Sequence, residues 1–350
     1  MRTSRSMAAM TTALVLALSA GAGCANFPNI TTVVDLRILG IMADPPEIYV
    51  DPATLSTQTD SFHSTITALV VDPQGAGRSI SYDVLACGRD IDTVTAATGR
   101  NGVICQHNTA DMPTNSYEVI PPDMQAGTPD GEGPEHDIEF DFAVAPSLLG
   151  QALAMDTAAR QGFQLPVILQ MELAAGSESI VATKRVIFSQ QLPDRPPQAP
   201  NQNPKPMTIT VYPARDADAN PIAPMDLPDD KQPVGVPLNG QRWFEPVGTV
   251  AEAYSTRSAT RDVPPQVVTT DVAAETLRFA FFATAGTFTP PETSTIRSLL
   301  RVDQDRVHLE SQYTAPGTMP ADPEVTIWIV AHDERGGASF TRRKVTLLPP

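Results

Sequence analysis

The stretch Ile138-Glu-Phe-Asp-Phe-Ala-Val144 places an apolar side chain at every second position, with Glu139, Asp141 and Ala143 between them. A period of two puts alternate residues on opposite faces of an extended chain, so this segment predicts a strand with one apolar and one wetted face. The same period runs through Val167, Leu169, Met171 and Leu173. It then passes Ala175-Gly-Ser177 and returns through Ile180, Ala182, Lys184, Val186 and Phe188, which predicts a hairpin. Residues 36–42, 65–71 and 79–86 give earlier strands, each bounded by Pro, Gly or Asp. One short helix is expected among them: Ser147 is placed to cap it, Leu148, Leu149, Ala152, Leu153 and Met155 have helical spacing, and Gly162 can end it.

Composition agrees with a strand-rich chain. Of 350 residues 34 are proline, about twice the usual share, which disfavours helix interiors and favours strand ends and turns. With 41% hydrophobic residues the chain can bury a sizeable core, and its length suits about two domains. The 24 basic and 40 acidic side chains give a net charge of −16. That balance excludes duplex nucleic acid as a partner, because phosphate binding needs a basic face.

Residues 193–206 read Pro-Asp-Arg-Pro-Pro-Gln-Ala-Pro-Asn-Gln-Asn-Pro-Lys-Pro, without a large apolar side chain. Such a segment favours stiff polyproline II and is expected to space two domains apart. Beyond it, strands are expected at Met207, Ile209 and Val211, at 277–282, at 324–332 and at 339–348, the last two joined by Asp333-Glu-Arg-Gly-Gly337. Residues 213–246, rich in Pro and Asp, read as a long irregular loop.

The closing segment Val325-Thr-Ile-Trp-Ile-Val-Ala-His-Asp-Glu-Arg-Gly-Gly-Ala-Ser-Phe-Thr, followed by Val345-Thr-Leu, resembles the last strands of bacterial immunoglobulin-like and PKD-like sandwich domains. The opening Leu36-Arg-Ile-Leu-Gly-Ile-Met-Ala-Asp-Pro-Pro-Glu-Ile resembles their first strand in secreted bacterial lipoproteins. The expected fold is therefore mainly β: two antiparallel, immunoglobulin-like β-sandwich domains, 34–192 and 207–350, joined by the Pro-rich linker, with one short helix in the first.

The N-terminus carries an address. Arg2 and Arg5 precede an apolar run at 13–18 and the small residues 19–23, the order of a secretory signal, and the run is too short to span a bilayer. Gly21-Ala-Gly-Cys24 resembles the lipobox of bacterial lipoproteins, although Gly21 stands where Leu is usual. The resemblance implies a signal peptide at 1–23, lipidation of Cys24 and a tether at 24–33. The other reading is ordinary secretion, with cleavage near Ala20 or Ala22 and Cys24 left as a thiol. Ala25, where Asp would hold such a protein at the inner membrane, implies sorting to the outer membrane. Three cysteines leave Cys87 and Cys105 as a pair once Cys24 carries lipid, and an oxidising compartment allows their disulfide. Closing that loop contributes roughly 3 kcal/mol in the chain-entropy model.

Signals of reaction chemistry are sparse. There is no Gly-x-Ser-x-Gly elbow and no His-Glu-x-x-His, and His63, His107, His136, His308 and His332 stand singly. His332 reads as an exposed histidine at a strand end. Asp216-x-Asp218-x-Asn220 alternates oxygen ligands as a Ca²⁺ loop does, but Pro221 and Leu227 stand where an EF-hand-type loop needs Gly and Glu. A solvated acidic loop is the default there. The acidic run at 130–141 likewise reads as a solvated face. Trp243, beside Phe244, is either core packing or a platform for a sugar or peptide.

The expectation is a non-catalytic, outer-membrane-anchored lipoprotein, held by lipid through Cys24 and structural or binding in role, with an envelope protein or polysaccharide as partner and no cofactor beyond the Ca²⁺ candidate. The alternative is a secreted carbohydrate-active enzyme or its carbohydrate-binding accessory module.

Overall fold

The computed structural model describes residues 30–51, 53–73, 75, 78–87, 105, 116–120, 135–147, 149–150, 165–189, 200–205, 208–217, 220–227, 233–247, 253–257, 270–274, 276–295 and 309–350. The described residues are mainly β and form several sheets.

The N-terminal part contributes β1 (Arg37–Asp44), β2 (Glu47–Tyr49), β3 (Phe62–Val71), β4 (Ser81–Cys87), β5 (Ser116–Ile120), β6 (Glu135–Val144), β7 (Leu165–Ala175) and β8 (Glu178–Ser189). They make a three-stranded sheet ordered β1-β3-β6 and a five-stranded sheet ordered β2-β8-β7-β4-β5. The alternating residues of β6 behave as the sequence predicts: Ile138, Phe142 and Val144 are buried while Asp137, Glu139 and Asp141 are exposed. The β7–β8 hairpin turns at Gly176, whose φ of 61° suits glycine. Inner faces of the two sheets share one apolar cluster that includes Ile66, Val84, Phe142, Leu169 and Val186. Pro45 and Pro46 carry the chain from β1 in one sheet to β2 in the other, where β2 runs parallel to β8.

The C-terminal part contributes β9 (Thr208–Tyr212), β10 (Ala214–Arg215), β11 (Pro221–Ile222), β12 (Met225–Leu227), β13 (Val234–Pro237), β14 (Gln241–Val247), β15 (Ala253–Arg257), β16 (Thr270–Ala274), β17 (Leu277–Ala283), β18 (Thr287–Thr289), β19 (Glu292–Ser294), β20 (Ser311–Thr314), β21 (Glu324–Asp333) and β22 (Ala338–Leu348). Two five-stranded sheets, β12-β9-β14-β20-β18 and β13-β22-β21-β17-β19, enclose a second core. Phe288 stands at its aromatic centre, 5.3 Å from both Phe281 and Tyr313 and 5.6 Å from Phe244, ring to ring. β10 with β11 and β15 with β16 form separate two-stranded ladders.

Two expectations need correction, and a third lies mostly beyond the described residues. Residues 213–246 are not an irregular loop, for β14 lies at the centre of a sheet and β13 pairs in parallel with β22. Proline misleads there because Pro237 and Pro246 sit within strands. The helix expected from Ser147 falls mostly outside the described residues; Pro146, Ser147, Leu149 and Gly150 have helical backbone. The second correction concerns the described part of the linker. Residues 200–205 do not hold the two sheet pairs apart but lie packed between them: Asn201 and Pro204 are buried, and the Asn203 side chain donates to Ala43 O at 2.7 Å and accepts from Ala338 N at 3.0 Å.

The two sheet pairs meet through outer faces that would otherwise be wet. Leu39, Leu69 and Val71 on one side and Trp328 and Val330 on the other form a third apolar cluster, joined by Val33, with Phe282 and Phe340 against it. Gly40 makes the approach possible: a β-carbon there would stand 3.0 Å from Val330 Cγ1. The Trp328 indole donates to Glu135 at 3.1 Å, and Arg342 pairs with the same carboxylate at 3.0 Å.

The end of the expected tether belongs to the fold. Thr32 bridges Ala283 in parallel, Val33 N donates to Ala283 O at 2.8 Å, and Ala283 N donates to Thr31 O at 2.9 Å. Residues 31–33 thus occupy the edge of β17 beyond the end of β19, fastening the start of the first sheet pair to the second.

Candidate functional site: the cleft between the sheet pairs

The residues singled out in the sequence do not converge. Cys24 lies outside the described residues. Cys87 and Cys105 form a disulfide with Cα atoms 5.7 Å apart. It sits on the outer face of the five-stranded sheet with Leu85 and Ile168. Gln170 grips the far cysteine by its backbone, accepting from Cys105 N at 3.0 Å and donating to Cys105 O at 3.3 Å. Reducing the bridge is expected to lower stability by roughly 3 kcal/mol, measured by denaturant unfolding with and without reductant.

Asp216 accepts from Asn220 N at 2.8 Å and from Asn220 Nδ2 at 3.2 Å, which closes the β10–β11 turn; Asp218 lies outside the described residues. Among the described residues no group of three or more His, Cys, Asp or Glu is placed to hold a metal. Trp243 is half-buried on the outer face of its sheet, opposite Tyr212 in the β9–β14 register. The Arg215 guanidinium lies over it, 4.3 Å from the ring centroid, and pairs with the buried Glu310. The ring is engaged by its own chain rather than presented as a free platform.

The polar groups that do converge come from distant parts of the sequence. Glu47, 3% exposed, accepts from Asn201 N at 2.6 Å and pairs with Arg335 from the β21–β22 turn. Asp333 organises that turn: Oδ1 accepts from Arg335 N at 2.9 Å and Gly337 N at 2.7 Å, and Oδ2 accepts from Asn201 Nδ2 at 3.1 Å. Gly336, at φ 96°, lets the turn close against β8.

Lys184 completes the arrangement. It shares the inward side of β8 with Ala182 and Val186, at a stretch of that strand which β2 does not cover, and its ammonium donates to Gly336 O at 2.5 Å. Between the facing edges of β1 and β8 and this turn lies a cleft of about 400 Å³. Burial lowers the Lys184 pKa to about 8, with Asp333 opposing the shift. Burial, reinforced by the Lys184 charge, also lowers that of His332. His332 is half-buried in the cleft rather than exposed at a strand end.

The lysine shift has a measurable consequence. Above about pH 8 the folded protein has released a proton that the unfolded chain, with an ordinary lysine, retains to about pH 10.5, so stability rises with pH in that window. Tyr49, Tyr82 and Tyr313, all raised mainly by burial, act in the opposite direction above about pH 10. Between about pH 8 and about pH 9.5 the expected gain is roughly 1–2 kcal/mol. Denaturant midpoints across that range should show it in the natural protein and not in Lys184→Met.

No family of related sequences and no curated protein matches the chain. Among solved structures it is similar to a mutant form of Salmonella alpha-2-macroglobulin, at 11% identity over 91% of this chain and 17% of that one, with a TM-score of 0.19. It is also similar to native E. coli alpha-2-macroglobulin, at 11% identity over 94% of this chain and 17% of that one, with a TM-score of 0.21. The adhesin InvE of Yersinia pseudotuberculosis gives 10% identity over 87% of this chain and 58% of that one, with a TM-score of 0.15. The chain thus spans about a sixth of the length of the macroglobulins, and superpositions at these scores define no common fold.

Proposed function

We propose that the protein is a non-catalytic lipoprotein of the bacterial outer membrane, made of two immunoglobulin-like domains that act as one rigid body in a structural or binding role. The immunoglobulin-like reading rests on the strand order: in each half a short early strand, β2 or β13, runs parallel to the last strand, β8 or β22. The observation that carries the function is the continuous interface between the halves, apolar at Trp328 and Leu69 and polar at Glu47 and Arg335. A body with both outer sheet faces committed to each other is suited to hold or present a surface, and the signal and Cys24 supply its address. Seven residue steps separate Cys24 from Thr31, at most about 25 Å of extended chain, so the lipid would hold this body close to the membrane.

Cys24→Ser is expected to move the protein from the membrane fraction to the soluble envelope fraction, because stable anchoring requires more than one acyl chain and the cysteine carries all of them. The intact mass of the N-terminal peptide from membranes checks the modification itself. Unchanged membrane association of the variant would reject the lipoprotein reading.

A further inference from the structure

We propose that the cleft between β1, β8 and the β21–β22 turn is a binding site for a single carboxylate group on a short apolar chain, with Lys184 as its anchor. Lys184 is 8% exposed and has three donor hydrogens, of which one is used among the described residues, toward Gly336 O. Asp333 does not take up the others: no hydrogen bond or ion pair joins it to Lys184 among the described residues, and its oxygens accept instead from Arg335 N, Gly337 N and Asn201 Nδ2. A buried ammonium with spare donors beside an open volume of about 400 Å³ gains most from an acceptor that carries negative charge.

The rest of the lining agrees. His332 borders the cleft and makes no side-chain hydrogen bond among the described residues, so a neutral imidazole is available beside the ammonium; Arg185, the next residue along β8, alternates to the opposite, exposed side of the strand. Ile38 and Ile41 supply apolar wall for a short hydrocarbon or peptide side chain. Asp333 offsets the Lys184 charge, so a second negative charge on a ligand, as on the phosphate dianion, would be opposed by its carboxylate. The site does not depend on the membrane anchor.

The carboxylate can come from a free acid or from the C-terminus of a peptide, and the experiment separates them. Butyrate, the tripeptide Ala-Ala-Val with a free C-terminus, the same tripeptide amidated, and inorganic phosphate are each titrated into the full chain near pH 7. The backbone amide resonances of Gly40, Gly336 and Gly337 are followed by NMR. Saturable shifts are expected with butyrate, with the free tripeptide or with both, whichever binds naming the source. Binding of the amidated peptide should be at least tenfold weaker, and phosphate should leave these glycines unmoved. Lys184→Met should abolish the response while keeping the circular dichroism of the natural protein. No saturable shift with either acid, equal binding of acid and amide, phosphate binding as tight as butyrate, or unchanged binding in Lys184→Met would each overturn the proposal. Should Lys184→Met fail to fold, the acid-against-amide comparison in the natural protein decides alone.

Discussion

Glu47→Ala is expected to destabilise the protein by about 3–5 kcal/mol, the cost typical of breaking a buried ion pair by removing one member. Arg335, 9% exposed at its side chain, would lose the carboxylate it meets, and Asn201 N would lose its acceptor in a buried place. Glu47→Gln keeps an oxygen for Asn201 N and should fall between the two. The chain has two tryptophans, Trp243 and Trp328. In a Trp243→Phe background the fluorescence of Trp328 reports the interface directly, and its unfolding midpoint in urea is the measurement. A loss below about 1 kcal/mol would mean that the Glu47–Arg335 pair does not hold the halves together.

Trp328→Ala should cost about 3–5 kcal/mol as well, by a different route: it removes the largest fully buried side chain and leaves a cavity between two sheet faces that cannot collapse onto one another without sliding. It also takes a donor from Glu135, which retains Arg342. Because the residue belongs to the interface cluster and not to either core, the expected signature is a change of cooperativity. Calorimetry of the natural protein should show a single transition, and the variant should show two, one for each sheet pair. A single transition at an unchanged midpoint would contradict the interface.

Local pattern carried the strands and turns into the sequence reading, but not the assembly. The period-two alternation of β6, β7 and β8, the turn at Gly176 and the turn from Asp333 to Gly337 are all decided by neighbours in the chain, and they appear where the pattern places them. The interface also left a local trace that a search for alternation passes over. Residues 68–71 and 327–331 are buried without interruption, because both faces of β3 and β21 are covered there, and their unbroken apolar runs express that. Gly40, alone in an apolar strand, marks the close approach of Val330. The cleft left no such trace. Glu47 and Arg335 are 288 positions apart, Asn201 and Glu47 are 154 apart, and no spacing rule links an aspartate in a turn to a lysine on a remote strand edge. Residues 200–205 depart from the expected spacer for a related reason: Asn201 and Asn203 supply backbone-like donors and acceptors that fill a seam between sheets.

The strap formed by residues 31–33 bears on the order in which the molecule can assemble. The side chain of Thr32 donates to Gly286 O and that of Thr31 accepts from Phe288 N, contacts that span 254 and 257 positions. In synthesis from the N-terminus, these residues emerge early and find their partners only when most of the polypeptide has followed. The first sheet pair can gather its own core meanwhile, but its leading end stays unsatisfied until β17 and β18 exist. Loop closure over such a distance adds little to the final stability ledger and much to the search time, since topology of this kind slows folding. A fragment that begins at residue 207 would carry a sheet edge with its amide at Ala283 unpaired, and a fragment that stops at residue 192 would carry a strap with nothing to hold. Each is therefore a poorer folder than its own core implies, and the two sheet pairs are expected to fold best on one chain.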